Sequence, residues 1–514
     1  MTAMHEQHRK DTSTSVLPRN VRRALEAMRA DLGRDWTVPD LAATAGVSSR
    51  TLQRMFKDFV GKTPRAALRD IRFERARRVL LQGLPDARVM DVALDCGFPH
   101  FGRFSIEYRR RYGETPSRTL RRQVVFVDAL ASMPAVFLPG RDRPTVALGS
   151  IEAGLENAGI ARAIADELAT ALTRAGVSVA RQPRSASYQL AGALRGSGGG
   201  TRLTVRLIEA ETGRHLWAYR SEGAIGGEFA VEEHLATRIT AALQPSLRLA
   251  EIERAQRKPD AELGAHDLML RAMPHALALD ADGNARALDL LERAMDLDPG
   301  HALATSLAAW VHAQRVIYHF SATPLEDRAR SAELARRALA LAGDATALAV
   351  LGNALTSLHD LEMADLVIRK ALSMDGGSAW AWGRSGWIEV YKGDSESAIE
   401  RFMIARELAP HDSLAFNNLV GIGVAHFAAG RYLEGAHWQE RALIEHPSAA
   451  WVHRTMCPAY VLGGAAPEAR RSLDALRGYY PDLTVARVSQ NLPPLPQTAR
   501  GLVVEALHTV GLPG

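Results

Sequence analysis

Within its first 122 residues the chain writes one pattern twice, the second copy 51 positions after the first. Val38-Pro39-Asp40-Leu41-Ala42-Ala43-Thr44-Ala45-Gly46-Val47 is answered by Val89-Met90-Asp91-Val92-Ala93-Leu94-Asp95-Cys96-Gly97-Phe98. Leu52 and Phe56 follow the first copy, Phe104 and Tyr108 the second. Both then close on the same shape, Gly61-Lys62-Thr63-Pro64 and Gly113-Glu114-Thr115-Pro116. An apolar stripe, a glycine and a second apolar stripe read as helix, tight turn, helix, because glycine takes the positive φ of such a turn without steric cost. Two of these units in tandem present two second helices side by side, each able to enter a major groove.

The first copy can be followed residue by residue. Leu41, Ala42 and Ala45 mark the inner face of a short helix, and Ser48 or Ser49 supplies the N-cap of the next. In that next helix Leu52, Phe56 and Phe59 fall on a buried stripe by 3.6-residue spacing. Arg50, Gln53, Arg54 and Lys57 then face outward. Arginine reads guanine and glutamine reads adenine through paired hydrogen bonds, so this face carries the chemistry of base readout. Charge agrees with such a division. Residues 1–122 hold 25 Lys+Arg against 14 Asp+Glu, a net of +11, whereas the whole chain is +5 and the remainder therefore −6. A basic head on an acidic body is expected when one end alone meets phosphate.

These residues resemble the DNA-binding domain of the AraC/XylS family of bacterial transcription regulators, from near Val21 to Arg122. The resemblance includes a long helix between the motifs, Arg65 to Leu81, with Arg72, Ala76 and Leu80. Its most specific stretch is Gly97-Phe98, Phe104, Tyr108, Tyr112-Gly113 and Thr115-Pro116-Ser117. By position it implies base contacts from Arg50, Gln53 and Arg54 in the first recognition helix, and from Phe101, Gly102, Ser105 and Ile106 in the second. Ser48 and Lys57 are the phosphate contacts expected of the first motif. The family commonly has a polar or basic residue where this chain has Ile106, which can touch only a thymine methyl. The second motif is therefore expected to lean on phosphate contacts from Arg103, Arg109, Arg110 and Arg111, which position rather than specify. Double-stranded promoter DNA and RNA polymerase are the implied partners.

Length and composition frame the rest. At 514 residues, 47% hydrophobic and 24% charged, the chain has the balance of a multidomain globular protein. The expected fold is mainly α: an all-α tandem helix-turn-helix domain at 17–122, a small α/β domain at 143–259, and an α-solenoid at 260–485. Residues 1–16 are polar, read as disordered, and show no apolar leader. Residues 123–142 form an apolar linker in which Asp128, Pro134 and Pro139 argue against a membrane span. That segment reads as a buried linker or strand pair. Cys96 and Cys457 fall in different domains, so no disulfide framework is expected, which suits a reducing cytoplasm.

In the α/β region, 144–151 reads as a strand and 160–175 as an amphipathic helix ending at Gly176. Further strands are expected at 188–195, 202–209 and 215–220. Gly196-Ser197-Gly198-Gly199-Gly200 precedes a strand and lacks a following Gly-Lys-Ser/Thr, so it reads as a hairpin turn and not as a phosphate cradle. Leu190-Ala191-Gly192-Ala193-Leu194-Arg195, Arg202 to Ile208 and Thr212-Gly213-Arg214-His215-Leu216-Trp217 resemble a TolB-like N-terminal domain. That resemblance implies a sensory or coupling role and brings no catalytic residues with it.

The last part is repetitive. Ala294, Ala338, Ala371, Ala405 and Ala442 sit in similar helical strings at steps of 44, 33, 34 and 37. Each is followed five positions later by a breaker, Pro299, Gly343, Gly376, Pro410 or Pro447. A period near 34 with a small residue at the crossing is the tetratricopeptide signature. The longest step places an insertion, Tyr318 to Glu326, in an inter-helix loop. Such helix pairs must stack to bury their apolar faces, and the concave side is expected to take a protein, a peptide or a second copy of the chain as a homodimer. Residues 486–514 read as a tail with a capping helix. Trp380, Trp382 and Trp387 read as core or groove lining.

Seventeen histidines lack metal-ligand spacing, and neither a Gly-x-Ser-x-Gly elbow nor a Walker sequence occurs. No enzyme activity, cofactor or metal is expected. The sequence thus points to a sequence-specific DNA-binding regulator with sensory and interaction modules. The competing reading is an interaction scaffold with residual DNA binding.

Overall fold

Six helices and a final helical turn build the N-terminal unit in the computed structural model, which describes residues 18–34, 36–82, 88–98, 101–112, 115–120, 144–180, 186–197, 200–223, 229–341 and 343–514. The expected disordered start and the apolar linker lie outside the described residues. The chain divides into two compact units, Met1–Met133 and Pro134–Gly514.

In the first unit α1 (Arg19–Ala30), α2 (Val38–Ala45) and α3 (Ser49–Val60) form one half, and α5 (Val89–Asp95) and α6 (Phe101–Tyr112) form the other. The long α4 (Pro64–Gln82) contributes to both. Its N-terminal Ala67 and Leu68 join Val21, Met28, Leu41, Leu52 and Phe56 in one core. Its C-terminal Phe73, Ala76 and Leu80 join Val92, Phe104 and Tyr108 in the second. Two small cores strung on one helix are the physical form of the sequence duplication.

The second unit begins with a five-stranded sheet: β1 (Thr145–Ala153), β2 (Ser178–Ala180), β3 (Tyr188–Ser197), β4 (Gly200–Glu209) and β5 (His215–Gly223). Their order is β2-β1-β3-β4-β5. The pairs involving β1 are parallel, which requires the crossover helix α7 (Ala158–Arg174), while β3, β4 and β5 form antiparallel hairpins. Ser197 pairs with Gly200, as the hairpin reading requires, although the two turn residues themselves lie outside the described set.

A 29-residue helix, α8 (Phe229–Arg257), follows. Leu243, Leu247 and Ala250 pack with Ile164, Leu168 and Leu190 in the sheet core. A turn later Ile252 and Ala255 belong to the core of the helical repeats. Side-chain bonds also run from α8 into the repeats, Gln244 to Asp375 at 3.3 Å and Arg248 to Asp412 at 2.7 Å. The expected division near residue 259 is thus a shared helix, and sheet and repeats form one unit.

Among the described residues six helix pairs follow: α9 (Ala265–Leu277) with α10 (Ala281–Leu297), α11 (Ala302–Ile317) with α12 (Pro324–Leu341), and α13 (Ala345–Ser357) with α14 (Leu361–Met374). Next come α15 (Ala379–Lys392) with α16 (Ser395–Leu408), α17 (Ala415–Ala428) with α18 (Tyr432–Glu445), and α19 (His453–Leu462) with α20 (Ala466–Tyr479). All five marker alanines are buried on the second helix of a pair. Close crossings explain the small residues: a Cβ on Gly421 would stand 2.2 Å from the Phe402 ring, and one on Gly386 2.8 Å from it. The insertion is a shorter loop than expected, since Pro324 opens α12 with its preset φ. The expected single capping helix is two helices, α21 (Val485–Asn491) and α22 (Gln497–Val510). They fold back over the pairs: Arg328 donates to the Gln490 carbonyl at 3.4 Å, and Pro496 lies against Gly393.

Candidate nucleic-acid interface

The first motif is held by local hydrogen bonds. Thr37 caps α2: its hydroxyl accepts from the Asp40 amide, and the Asp40 carboxylate accepts from the Thr37 amide at 3.1 Å and the Thr37 hydroxyl at 2.6 Å. Those bonds, the hydroxyl's foremost, hold the Asp40 carboxyl below the usual carboxylate range. This capping box was not anticipated, although Thr-x-x-Asp ahead of an apolar run is its signal. Gly46 ends α2 at φ 71°, and Asn20 donates to the Ala45 carbonyl at 2.9 Å, tying the turn to α1. Of the two candidate serines, Ser48 is the cap of α3 and accepts from the Thr51 amide at 3.2 Å.

Leu52 and Phe56 are fully buried, as their spacing implies, but Phe59 is 40% exposed. Met55 and Val60 pack against the core in its place. Arg50, Gln53, Arg54 and Lys57 share the exposed face of α3. None of the three cations makes an ion pair or hydrogen bond with any described residue.

The second motif is an aromatic stack. Phe73, Phe98 and Phe104 form a triangle with centroids 4.4 to 5.6 Å apart, and Tyr108 continues it beside Phe104. The buried Tyr108 hydroxyl donates to Thr119 at 3.2 Å, anchoring the helical turn 116–120. Outward on α6 stand Phe101, Gly102, Arg103, Ile106, Arg109 and Arg110, with Ser105 half-buried. Ile106 is 74% exposed, an apolar group offered to solvent where burial would have stabilised it. Arg103 and Arg109 are without a partner among the described residues, and Arg110 lies 4.0 Å from Glu107.

Arg111, expected among the phosphate contacts, is engaged inside the domain. Its guanidinium donates to Asp70 at 2.6 Å and lies over the Phe73 ring. Lys62, just past the end of α3, donates to the other Asp70 oxygen at 2.6 Å. Asp70 on α4 therefore clasps the end of one recognition helix to the end of the other. Burial pushes the Asp70 carboxyl up, but the bonds from Lys62 and Arg111 outweigh it and hold the group below its usual range. A second tie runs through Arg72, which donates to the carbonyls of Leu32 at 2.9 Å and Arg34 at 2.7 Å. Both ties join residues about forty positions apart, so periodicity could not show them.

Two exposed helices of this kind, each carrying unpartnered arginines and each following a tight turn on a basic unit, define a tandem helix-turn-helix DNA-binding domain. Residues 41–122 match the family model described as a helix-turn-helix domain. Among curated proteins, the chain is 40% identical over 107 residues to the "Probable thc operon regulatory protein" of Rhodococcus erythropolis, covering 21% of this chain and 32% of that one. It is 36% identical over 101 residues to the XylDLEGF operon transcriptional activator of Pseudomonas putida, covering 20% of this chain and 32% of that protein. Among solved structures, a probable AraC family transcriptional regulator from Rhodopseudomonas palustris is 35% identical, with a TM-score of 0.20, covering 21% of this chain and 98% of that one. The N-terminal unit is an AraC-type helix-turn-helix domain. The chain spans about a third of the length of the curated relatives named here, so the likeness is one of domain and not of whole protein.

Proposed function

We propose that the protein is a sequence-specific transcription regulator of the cytoplasm, with its N-terminal unit on promoter DNA and its sheet and repeats acting as a sensory and interaction module. The observation that carries this reading is the exposed face of α3, without partners among the described residues, with Arg50, Gln53 and Arg54 in line within residues 1–122, whose net charge is +11. In the major groove these three would contact base edges, while Ser48 and Lys57 flank them at phosphates. α6 would enter the next major-groove turn, about 10 bp away. There Phe101, Gly102, Ser105 and Ile106 face the bases, and Arg103, Arg109 and Arg110 supply phosphate contacts. RNA polymerase would be met on the DNA, and a protein partner or second copy along the repeats.

The test is a gel-shift titration of the full chain on the gene's own upstream region and on random DNA at several salt concentrations. Arg54→Ala should cost about 1–3 kcal/mol on the specific site and relax its preference. Arg109→Ala should weaken all sequences alike and lower the salt slope by about one. Equal losses on both DNAs for Arg54→Ala would refute the assignment of α3. No preference for any genomic site would leave the repeats as the principal module.

A further inference from the structure

Two arginines inside the repeats have no carboxylate partner among the described residues. Arg454 on α19 is 4% exposed, and its guanidinium donates to the Trp451 carbonyl at 3.1 Å, to His319 Nε2 at 3.1 Å and to the Ile317 carbonyl. Arg384 on α15 donates to the Thr356 hydroxyl at 3.1 Å. Both guanidiniums act on the same two phenols, Tyr318 and Tyr391, so they converge on one region. We propose that this region binds a small oxyanion, held by Arg384 and Arg454. The inference deepens the sensory role proposed above, which gives such a site its use.

Free donors surround the two arginines. Arg384 Nε, Tyr480 Oη, Trp387 Nε1 and Trp451 Nε1 are buried without a hydrogen-bond partner among the described residues. They share one neighbourhood. The Trp451 ring lies 4.7 Å from Tyr318, the Trp387 ring 5.7 Å from Tyr391, and Tyr480 meets His319 edge-on at 6.0 Å. Buried polar groups are ordinarily paired, so four such donors together call for an acceptor. Tyr318, Arg384 and Tyr391 lie deep in the unit and still keep accessible surface, as side chains around an internal space do.

Charge points the same way. Burial lowers the pKa of both guanidiniums, and the groups opposing it are tyrosines, with no carboxylate among them. Arginine stays protonated even so, and a buried charge without a counter-charge is costly to the fold. His319 feels the same field: burial first, then Arg454 and Arg487, hold its imidazole neutral. Arg384 and Trp387 also line a narrow cleft whose one carboxylate, Asp412, is already held by Arg248 and the Trp380 indole. A guanidinium fork matches paired oxygens of a carboxylate or phosphate, which is the chemistry these donors select.

Calorimetric titration of the full chain with inorganic phosphate, phenylphosphate and phenol, in a zwitterionic buffer, tests this. No DNA is present, so failure here leaves the regulator reading untouched. The wild type should bind an oxyanion saturably at one site per chain that Arg384→Met removes, and phenol should not compete for it. Anion binding to the basic N-terminal unit is common to both proteins and drops out of that difference. The tighter of the two phosphates shows whether the oxyanion comes free or on an organic body. Tyr480→Phe should weaken it about tenfold or more without lowering the thermal midpoint of the free protein, since that hydroxyl has no partner to lose. Arg384→Met should be no less stable than wild type in phosphate-free buffer, because it discards an uncompensated charge. Absence of a site sensitive to either substitution, or equal competition by phenol, would overturn the oxyanion. A lowered midpoint for both variants in phosphate-free buffer would mark a merely structural cluster and overturn it as well.

Discussion

Gly46 and Gly97 occupy the same place in the two motifs and adopt similar backbones, φ 71° and 79°, yet their surroundings differ. A Cβ on Gly46 would meet nothing within 4 Å. One on Gly97 would stand 2.4 Å from the Leu32 carbonyl oxygen and 2.7 Å from the Arg72 guanidinium. Gly46→Ala should therefore cost only the left-handed strain, about 1–2 kcal/mol. Gly97→Ala incurs that strain and also dislodges Arg72 from two carbonyl acceptors, each bond to a charged group contributing about 1.5–3 kcal/mol. Allowing for partial relaxation, the excess over Gly46→Ala should be about 3 kcal/mol, or more than a hundredfold in local opening. Hydrogen exchange of the full chain reports this directly, through amides in α5 and α6 for Gly97→Ala and in α2 and α3 for Gly46→Ala. Equal loss of protection in the two variants would refute the claim that the second turn is locked against the Leu32 loop.

Two further outcomes follow from the same unit. Asp70→Asn should lower the stability of the N-terminal unit by roughly 1 kcal/mol at neutral pH, since the clasp is partly screened by solvent. Because the folded carboxyl titrates below its ordinary value near 3.9, that contribution is whole above this pH and fades as pH falls through the lowered value. Wild type and variant should then converge in acid, as followed by exchange in α3 and α6. Ile106→Arg should tighten binding to the specific site by about tenfold or more at no cost in stability, since the side chain is already exposed. Unchanged affinity in a gel shift would place α6 outside the groove.

What could be read from the sequence was what neighbours in the chain decide. The turns at Gly46 and Gly97, the buried pairs Leu52–Phe56 and Phe104–Tyr108, and the marker alanines of the repeats all follow from local periodicity and backbone chemistry. Phe59 obeyed the same periodicity and still emerged into solvent, because helix length and core depth are tertiary facts. Arg111 was indistinguishable from its neighbours Arg109 and Arg110 until α4 brought Asp70 beside it. α8 escaped detection for a different reason. It packs against the sheet on one stretch and the repeats on another, so no single apolar stripe runs along it, and Pro245 interrupts its pattern.

That shared helix also sets the grain along which the gene can be recombined. A cassette exchanged at residue 259 would keep all of α8 with the sheet and leave Ile252 and Ala255 with no core to enter, while the repeats would lose that part of their packed layer. Crossovers there would yield two unfinished halves, whereas replacement of everything ahead of the sheet severs none of these packed layers. The sheet and the repeats should therefore be inherited together as one cargo, not divided within their shared helix.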